Sequence, residues 1–260
     1  MNILSWEEMI AGKGAIRRAL TIGVFDGVHL GHQKLLAKVA EQNAQLCRTV
    51  VTFKENPKKL LHPATYKGSL FSLDQKLSSF EAAGMEACVL IDFSQNFGKL
   101  TGVEFLSGLA AGGAEYLCVG PNFRCGHKMD TDAQALAAIC AVRGIKAEIL
   151  EPVMHNGHPI SSSRIRTAIL DGRLHEAKAM LGREYEIPVV AIDNSSKDGL
   201  IFRPPEDAVL PPEGMYLVKC RDGIIEYEAE AEIAARRVCI HSTANRRWEK
   251  VAIVAMLSKE

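Results

Sequence analysis

The chain has no surplus of charge of either sign: 31 Lys and Arg balance 31 Asp and Glu, for a formal net charge of zero at pH 7. That balance gives no electrostatic case for nucleic acid or an anionic membrane as a partner, since both draw on an excess of basic side chains. Long apolar runs are also missing. The N-terminus, MNILSWEEM, brings in acidic residues early and has no apolar core segment, so neither a signal peptide nor a membrane span is expected. The seven cysteines, an odd number, show no Cys-x-x-Cys and no metal-ligand spacing, and some, such as Cys88 and Cys118, stand in apolar surroundings. That usage implies reduced, mostly buried thiols in a cytoplasmic protein, with no metal held by the chain's own residues. There is no repeat or low-complexity stretch, and no Ser/His/Asp order that demands a nucleophilic triad. What remains is 260 residues, 47% hydrophobic and 24% charged, enough to bury a sizeable core and to form two domains.

The most informative stretch is TIGVFDGVHLGHQ, residues 21–33, which sets His29 and His32 between an apolar strand and a long helix. Gly27 lets the chain turn with no Cβ in the way, and from Leu30 the apolar residues Leu35, Leu36, Val39 and Ala40 recur at helical spacing. The first-turn N–H groups of a helix lack intrahelical partners and carry the positive end of its dipole, so two imidazoles beside them make a site for phosphate oxygens. The plainer alternative is that the histidines are ordinary surface or capping residues. A second anion-binding element lies far downstream at ISSSRIR, residues 160–166. Three serines lead into an apolar-periodic run (Ile165, Ala168, Ile169, Leu170) that stops at Asp171-Gly172, the pattern of a capped helix. Hydroxyls and N–H groups at that helix start suit phosphate, and the guanidinium fork of Arg166 suits a phosphate chain. A capped helix with a solvated arginine is the alternative here.

Together, Gly23, Phe25, Asp26, Gly27, His29, Gly31 and His32 resemble the first signature of the nucleotidyltransferase superfamily, His-x-Gly-His, and ISSSRIR resembles its second, in the expected order. The longer string GVFDGVHLGH resembles the prokaryotic FAD synthetase family. Further segments carry the resemblance through about the first 183 residues: VVTFKENP (50–57), the helix-like 71–84 with Lys76, DFSQNFGKLTGVEFL (92–106) and YLCVGPNFRCG (116–126). Two positions depart from the family: Asn56 stands where histidine is usual, and Cys125 where an aromatic is usual.

The strand-like runs 19–23, 49–52, 87–91, 116–119 and 146–149 alternate with helical patterns, which predicts a parallel sheet with crossover helices. Ligands of such sheets bind beyond the strands' carboxyl ends, where His29, Pro57, Asp92, Asn122 and the approach to Ser161 all fall. The resemblance implies a Rossmann-like α/β nucleotidyltransferase domain, residues 1–183, followed by a small β-barrel-like domain, 184–260. Beyond a helix at 174–181 that second part reads as strands at 185–193, 215–220, 224–230, 238–241 and 251–257. It is similar to a riboflavin kinase barrel, most clearly at LPPEGMYLV (210–218). The kinase signature Gly-x-x-x-Gly-Phe-Pro-Thr-Ala-Asn is missing; the corresponding place reads NSSKDGLIFRPPEDA. Arg236-Arg237 and Arg246-Arg247 read as a solvated basic cluster, and the Pro-rich residues 203–212 as a loop.

Transfer of AMP from ATP to FMN is the activity the resemblance implies, with riboflavin kinase activity absent. FMN's phosphate is already an anionic nucleophile, so the reaction needs alignment and charge relief rather than an activated side chain. The resemblance assigns His29, His32, Ser162 and Arg166 to catalysis, and Gly23, Phe25, Gly27, Gly31 and Ser163 to ATP. It places Phe53, Asn56, Pro57, Asn122 and Phe123 on the FMN side. Mg2+ is expected to arrive with ATP, holding few protein ligands. Asp26 is either part of this site or a structural turn residue. A nucleotidyltransferase for another phosphate or alcohol acceptor, and a non-catalytic nucleotide- or flavin-binding module, stay open as alternatives.

Overall fold

Short apolar runs buried on both faces build the first sheet. Strands β2 (Arg18–Ile22) and β4 (Ala87–Ile91) are buried at every position, the pattern of parallel strands covered by helices on either side. The computed structural model describes residues 1–12, 14–93, 96–193, 200–222, 225–241 and 252–259. With β1 (Asn2–Ser5), β3 (Cys47–Phe53), β5 (Ala114–Val119) and β6 (Lys146–Ile149) these strands pair in the order β1-β4-β3-β2-β5-β6, every neighbour parallel. The chain steps from β2 outward to β3 and β4, then returns to the other side of β2 for β5. The order therefore reverses between β2 and β5, and the crevice at such a reversal is where open α/β sheets bind ligands.

Helices α1 (Trp6–Ala11), α2 (Leu30–Ala40), α4 (Leu73–Ala82), α5 (Gly102–Ala111) and α6 (Ala133–Val142), with the short α3 (Pro57–Leu61), fill the connections. One core cluster joins Leu20, Val51, Val89 and Leu117 of the strands to Trp6, Leu106 and Leu136 of the helices. Strand β1 and helix α1 were not expected from the sequence. Four and six residues are too few to show a period, although Ser5 and Glu8 form a capping box at the start of α1.

Two compact units result: Met1–Tyr66 with Leu73–Pro159, and Lys67–Ser72 with Ile160–Glu260. The second unit contains α7 (Ser162–Leu170) and α8 (Leu174–Leu181), each followed by a glycine at positive φ, Gly172 at 75° and Gly182 at 77°. Its six strands, β7 (Tyr185–Asp193), β8 (Leu200–Arg203), β9 (Gly214–Asp222), β10 (Ile225–Ala234), β11 (Arg237–His241) and β12 (Ala252–Lys259), close into an antiparallel barrel in the order β7-β8-β11-β10-β9-β12. Buried residues alternate along the strands, as at Ile187 and Val189, Tyr216, Val218 and Cys220, and Val238 and Ile240, so every second side chain fills the interior. The α/β architecture with a small barrel is the one read from the sequence; within the barrel, β8 is the strand it missed. Residues 194–199, inside the stretch that replaces the kinase signature, lie outside the described residues, as do Arg246 and Arg247. Among the described residues no helix is long and apolar enough to cross a membrane.

Candidate active site

Between β2 and α2 the chain makes a tight, mostly buried loop. Phe25, Gly27 and Val28 take positive φ values of 52°, 82° and 37°, and for a β-branched valine that is a strained conformation. Surrounding contacts hold it there: Thr52 Oγ1 donates to Val24 O at 3.2 Å, and Gln33 Nε2 donates to Val28 O at 2.9 Å. Phe25 is fully buried, edge-on to the ring of Phe80 on α4 at 5.4 Å and to the ring of His32 at 5.0 Å. His29 is the N-cap of α2, and its Nδ1 accepts the His32 backbone N–H at 3.4 Å. The capping alternative therefore holds for His29, and it has a chemical consequence. With Nδ1 accepting, a neutral ring carries its proton on Nε2. The two imidazoles stack with centroids 3.6 Å apart at 17°. Glycines on both flanks keep the packing close. A Cβ at Gly31 would lie 3.2 Å from Nδ1 and Cε1 of His29, and one at Gly23 would lie 3.3 Å from the Phe25 ring.

Lys76, on α4, has no role that its sequence surroundings indicate. It is buried, donates from Nζ to Phe53 O at 2.9 Å and senses the charge of the equally buried Asp26. Burial pulls its pKa below the ordinary 10.5, with Asp26 pulling the other way. Between the lowered value and 10.5 the unfolded chain binds more protons than the folded one, so this group's contribution to stability rises with pH across that window. Lys76→Met is expected to remove that rise. Denaturant unfolding of both proteins on either side of the window checks it, and an unchanged slope would contradict it.

On the side read as facing FMN, Phe53 ends β3 and joins Phe93 and Phe97 in an aromatic group, with centroids 5.9 and 6.3 Å from it. Phe93 and Phe97 carried no assignment from sequence; their signal was the Phe-rich stretch after β4. Asn56 caps α3, its Oδ1 accepting the Lys58 N–H at 3.1 Å, and Pro57 opens that helix. Asn122 is exposed in the turn after β5, while Phe123 and Cys125 pack half-buried against the core cluster. Burial pushes the Cys125 thiol up to about 12, so it packs rather than reacts. This loop is anchored by Asp130, whose carboxylate accepts the Gly102 N–H at the head of α5 at 3.0 Å and the Thr131 hydroxyl at 2.8 Å. His29, Pro57, Asp92 and Asn122 thus follow four adjacent parallel strands at their carboxyl ends, as expected.

Ser162, Ser163 and Arg166 belong to the second unit and lie together on α7. Ser161, not one of the assigned residues, is the N-cap, its Oγ accepting the Arg164 N–H at 3.3 Å. Ser163 is exposed, and Arg166 is half-buried with its Nε donating to Gly68 O at 2.8 Å. The basic pair at the β10–β11 turn is not simply solvated: Arg236 Nη2 donates to Pro205 O, Glu206 O and Ala208 O at 3.1, 2.7 and 3.2 Å. Among the described residues no group of three or more His, Cys, Asp or Glu side chains could hold a metal ion.

Comparison with known proteins adds the family context. The family model described as FAD synthetase matches residues 13–164, more than half of the chain, from ahead of β2 into α7. A Listeria monocytogenes protein named FAD synthetase is 29% identical over 202 residues, covering 76% of this chain and 79% of that protein. The bifunctional riboflavin kinase/FMN adenylyltransferase of Buchnera aphidicola is 28% identical over 175 residues, covering 65% of this chain but only 56% of its own length. The chain thus spans little more than half of that bifunctional relative. A crystal structure described as a macrolide-efflux protein from Streptococcus pneumoniae has the same fold, with a TM-score of 0.86 at 24% identity, covering 100% of this chain and 91% of that one.

Proposed function

The chain belongs to the FAD synthetase family, and on that premise we propose that it transfers AMP from ATP to FMN, giving FAD and pyrophosphate. The observation that carries the reading is the stacked His29–His32 pair at the head of α2, beside the strand reversal of a parallel sheet. His29, through Nε2–H, and His32 hold the α-phosphate and offset the charge that builds as FMN's phosphate attacks it. Ser162, Ser163 and Arg166 take the β- and γ-phosphates. Gly23, Phe25, Gly27 and Gly31 shape the loop against ATP, and Phe53, Asn56, Pro57, Asn122 and Phe123 form the flavin side. Mg2+ enters on the nucleotide, where it keeps several waters and eases charge on the phosphates. Residues 1–183 are the adenylyltransferase part and 184–260 a kinase-like barrel without kinase activity. The enzyme works in the cytoplasm, with no membrane or nucleic acid partner.

Purified protein, Mg2+ and ATP are offered FMN in one tube and riboflavin in another, and flavins are separated by chromatography. FAD from FMN and no FMN or FAD from riboflavin is expected. FMN formed from riboflavin would overturn the absence of kinase activity. No product from FMN would shift the assignment to another acceptor, for which Asn56 and Cys125 mark the altered positions, or to a binding module.

A further inference from the structure

The barrel lacks the kinase signature yet is built as a complete closed sheet, and its loop between β8 and β9 is held from three sides. Tyr185 of β7 donates from its hydroxyl to Val209 O at 2.8 Å, and Tyr216 of β9 donates to Pro212 O at 2.6 Å. From the β10–β11 turn, Arg236 clamps the carbonyls of Pro205, Glu206 and Ala208. Against this fixed loop lies Lys67–Ser72, far away in sequence but part of the same unit. Ser69 N–H donates to Asp207 O at 2.7 Å, Val209 N–H donates to Ser69 O at 3.2 Å, and Ser69 Oγ donates to Asp207 Oδ2 at 3.2 Å, with Ser69 opposite Ala208 as a parallel bridge. The fit is close. Gly68 sits at φ 93°, and a Cβ there would fall 2.6 Å from Asp207 O. Arg183 adds a further tie, stacking its guanidinium 4.6 Å over the Phe71 ring.

Gly68 O, fixed this way, accepts Nε of Arg166 at 2.8 Å. Because the guanidinium is a planar fork, anchoring Nε there orients its Nη atoms as well, and Nη1 reaches Ser162 O of the same helix at 3.5 Å. We infer that the retained purpose of the barrel is to position Arg166: the β8–β9 loop seats residues 68–69, and Gly68 O in turn aims the guanidinium. Gly68 and Arg236 are thus positioning residues for the phosphate clamp, although neither would touch the nucleotide. This inference rests on the reading of Arg166 as a ligand of the ATP phosphates.

The test is a double-mutant cycle on the full chain, measuring kcat and KM for ATP and for FMN. Gly68→Ala forces the segment off the barrel loop, and Arg166→Lys keeps the charge but cannot donate from an Nε in the same place. Arg166→Lys alone is expected to raise KM for ATP about tenfold, the size of one lost charge-assisted hydrogen bond. Gly68→Ala is expected to do much the same with KM for FMN within about twofold, and to add less than about twofold in the Arg166→Lys background. Should Gly68→Ala fail to fold, Arg236→Ala runs the same cycle from the other end of the chain of contacts. Equal effects of the second substitution in both backgrounds, or no change in KM for ATP from it, would overturn the inference alone. A wild-type KM for ATP and kcat in Arg166→Lys would overturn the phosphate reading of Arg166 and the inference with it.

Discussion

Replacing His32 by alanine is expected to lower kcat for FAD formation by about 100- to 1,000-fold, the range seen when one preorganised donor to a developing charge is removed. The physical case is specific to the loop. His32 stacks face to face on His29 at 3.6 Å and meets the edge of Phe25 at 5.0 Å, so its ring is held on two sides before any nucleotide arrives. Its backbone N–H, not its side chain, supplies the cap to His29 Nδ1, and that bond survives in alanine. The change should therefore cost little stability, about 1 kcal/mol from lost packing, and leave the N-cap intact. A melting temperature close to wild type with kcat lowered by two orders of magnitude or more is the expected pair of results. Wild-type turnover would show that the catalytic centre lies elsewhere.

Gly126→Ala is expected to act on the loop that follows β5, and mainly on stability. Gly126 has φ 82°, a conformation that costs an L side chain, and a Cβ there would lie 2.1 Å from Asp130 Oδ1 and 2.4 Å from Gly102 N. The second contact is to backbone, so no side-chain rotation relieves it. The Asp130–Gly102 hydrogen bond, which ties the loop carrying Phe123 and Cys125 to the head of α5, must open. Gly102 is itself closely packed: a Cβ on it would fall 1.9 Å from Thr131 Oγ1. Strain and the lost bond together predict a loss of about 2–3 kcal/mol, or about 5–10 °C in Tm, with KM for FMN raised more than KM for ATP. An unchanged Tm would show that the loop tolerates displacement and does not hold the flavin side in place.

The sequence was legible where chemistry and periodicity coincide. The strand–loop–helix run from β2 into α2 could be read because glycines and histidines at fixed spacing interrupt an apolar pattern, α7 because serines open it and a glycine follows it, and α8 because Gly172 and Gly182 stand on either side of it. The barrel strands Tyr185–Asp193 and Arg237–His241 coincide with the strand-like runs at 185–193 and 238–241. Other features did not show, for two physical reasons. Strands β1 and β8 are four residues each, too short to show a period, and, unlike the equally short Lys146–Ile149, neither follows a helical pattern in the alternation that marks a crossover. Long-range contacts leave no local pattern at all: nothing near Lys76 in sequence indicates Phe53 O or Asp26, and nothing near Arg166 indicates Gly68, 98 residues away. Asn56 is the instructive intermediate. Its departure from the family's histidine was plain in sequence, but its use as the cap of α3 became visible only with the helix in place.

The most direct test of the central claim follows the atoms transferred. ATP labelled at its α-phosphate is incubated with the protein, Mg2+ and FMN, and labelled flavin and released pyrophosphate are counted together. One labelled FAD for each pyrophosphate is the expected result, because attack of FMN's phosphate on the α-phosphorus expels both terminal phosphates as one group. Pyrophosphate without labelled flavin, or inorganic phosphate as the leaving group, would contradict adenylyl transfer to FMN.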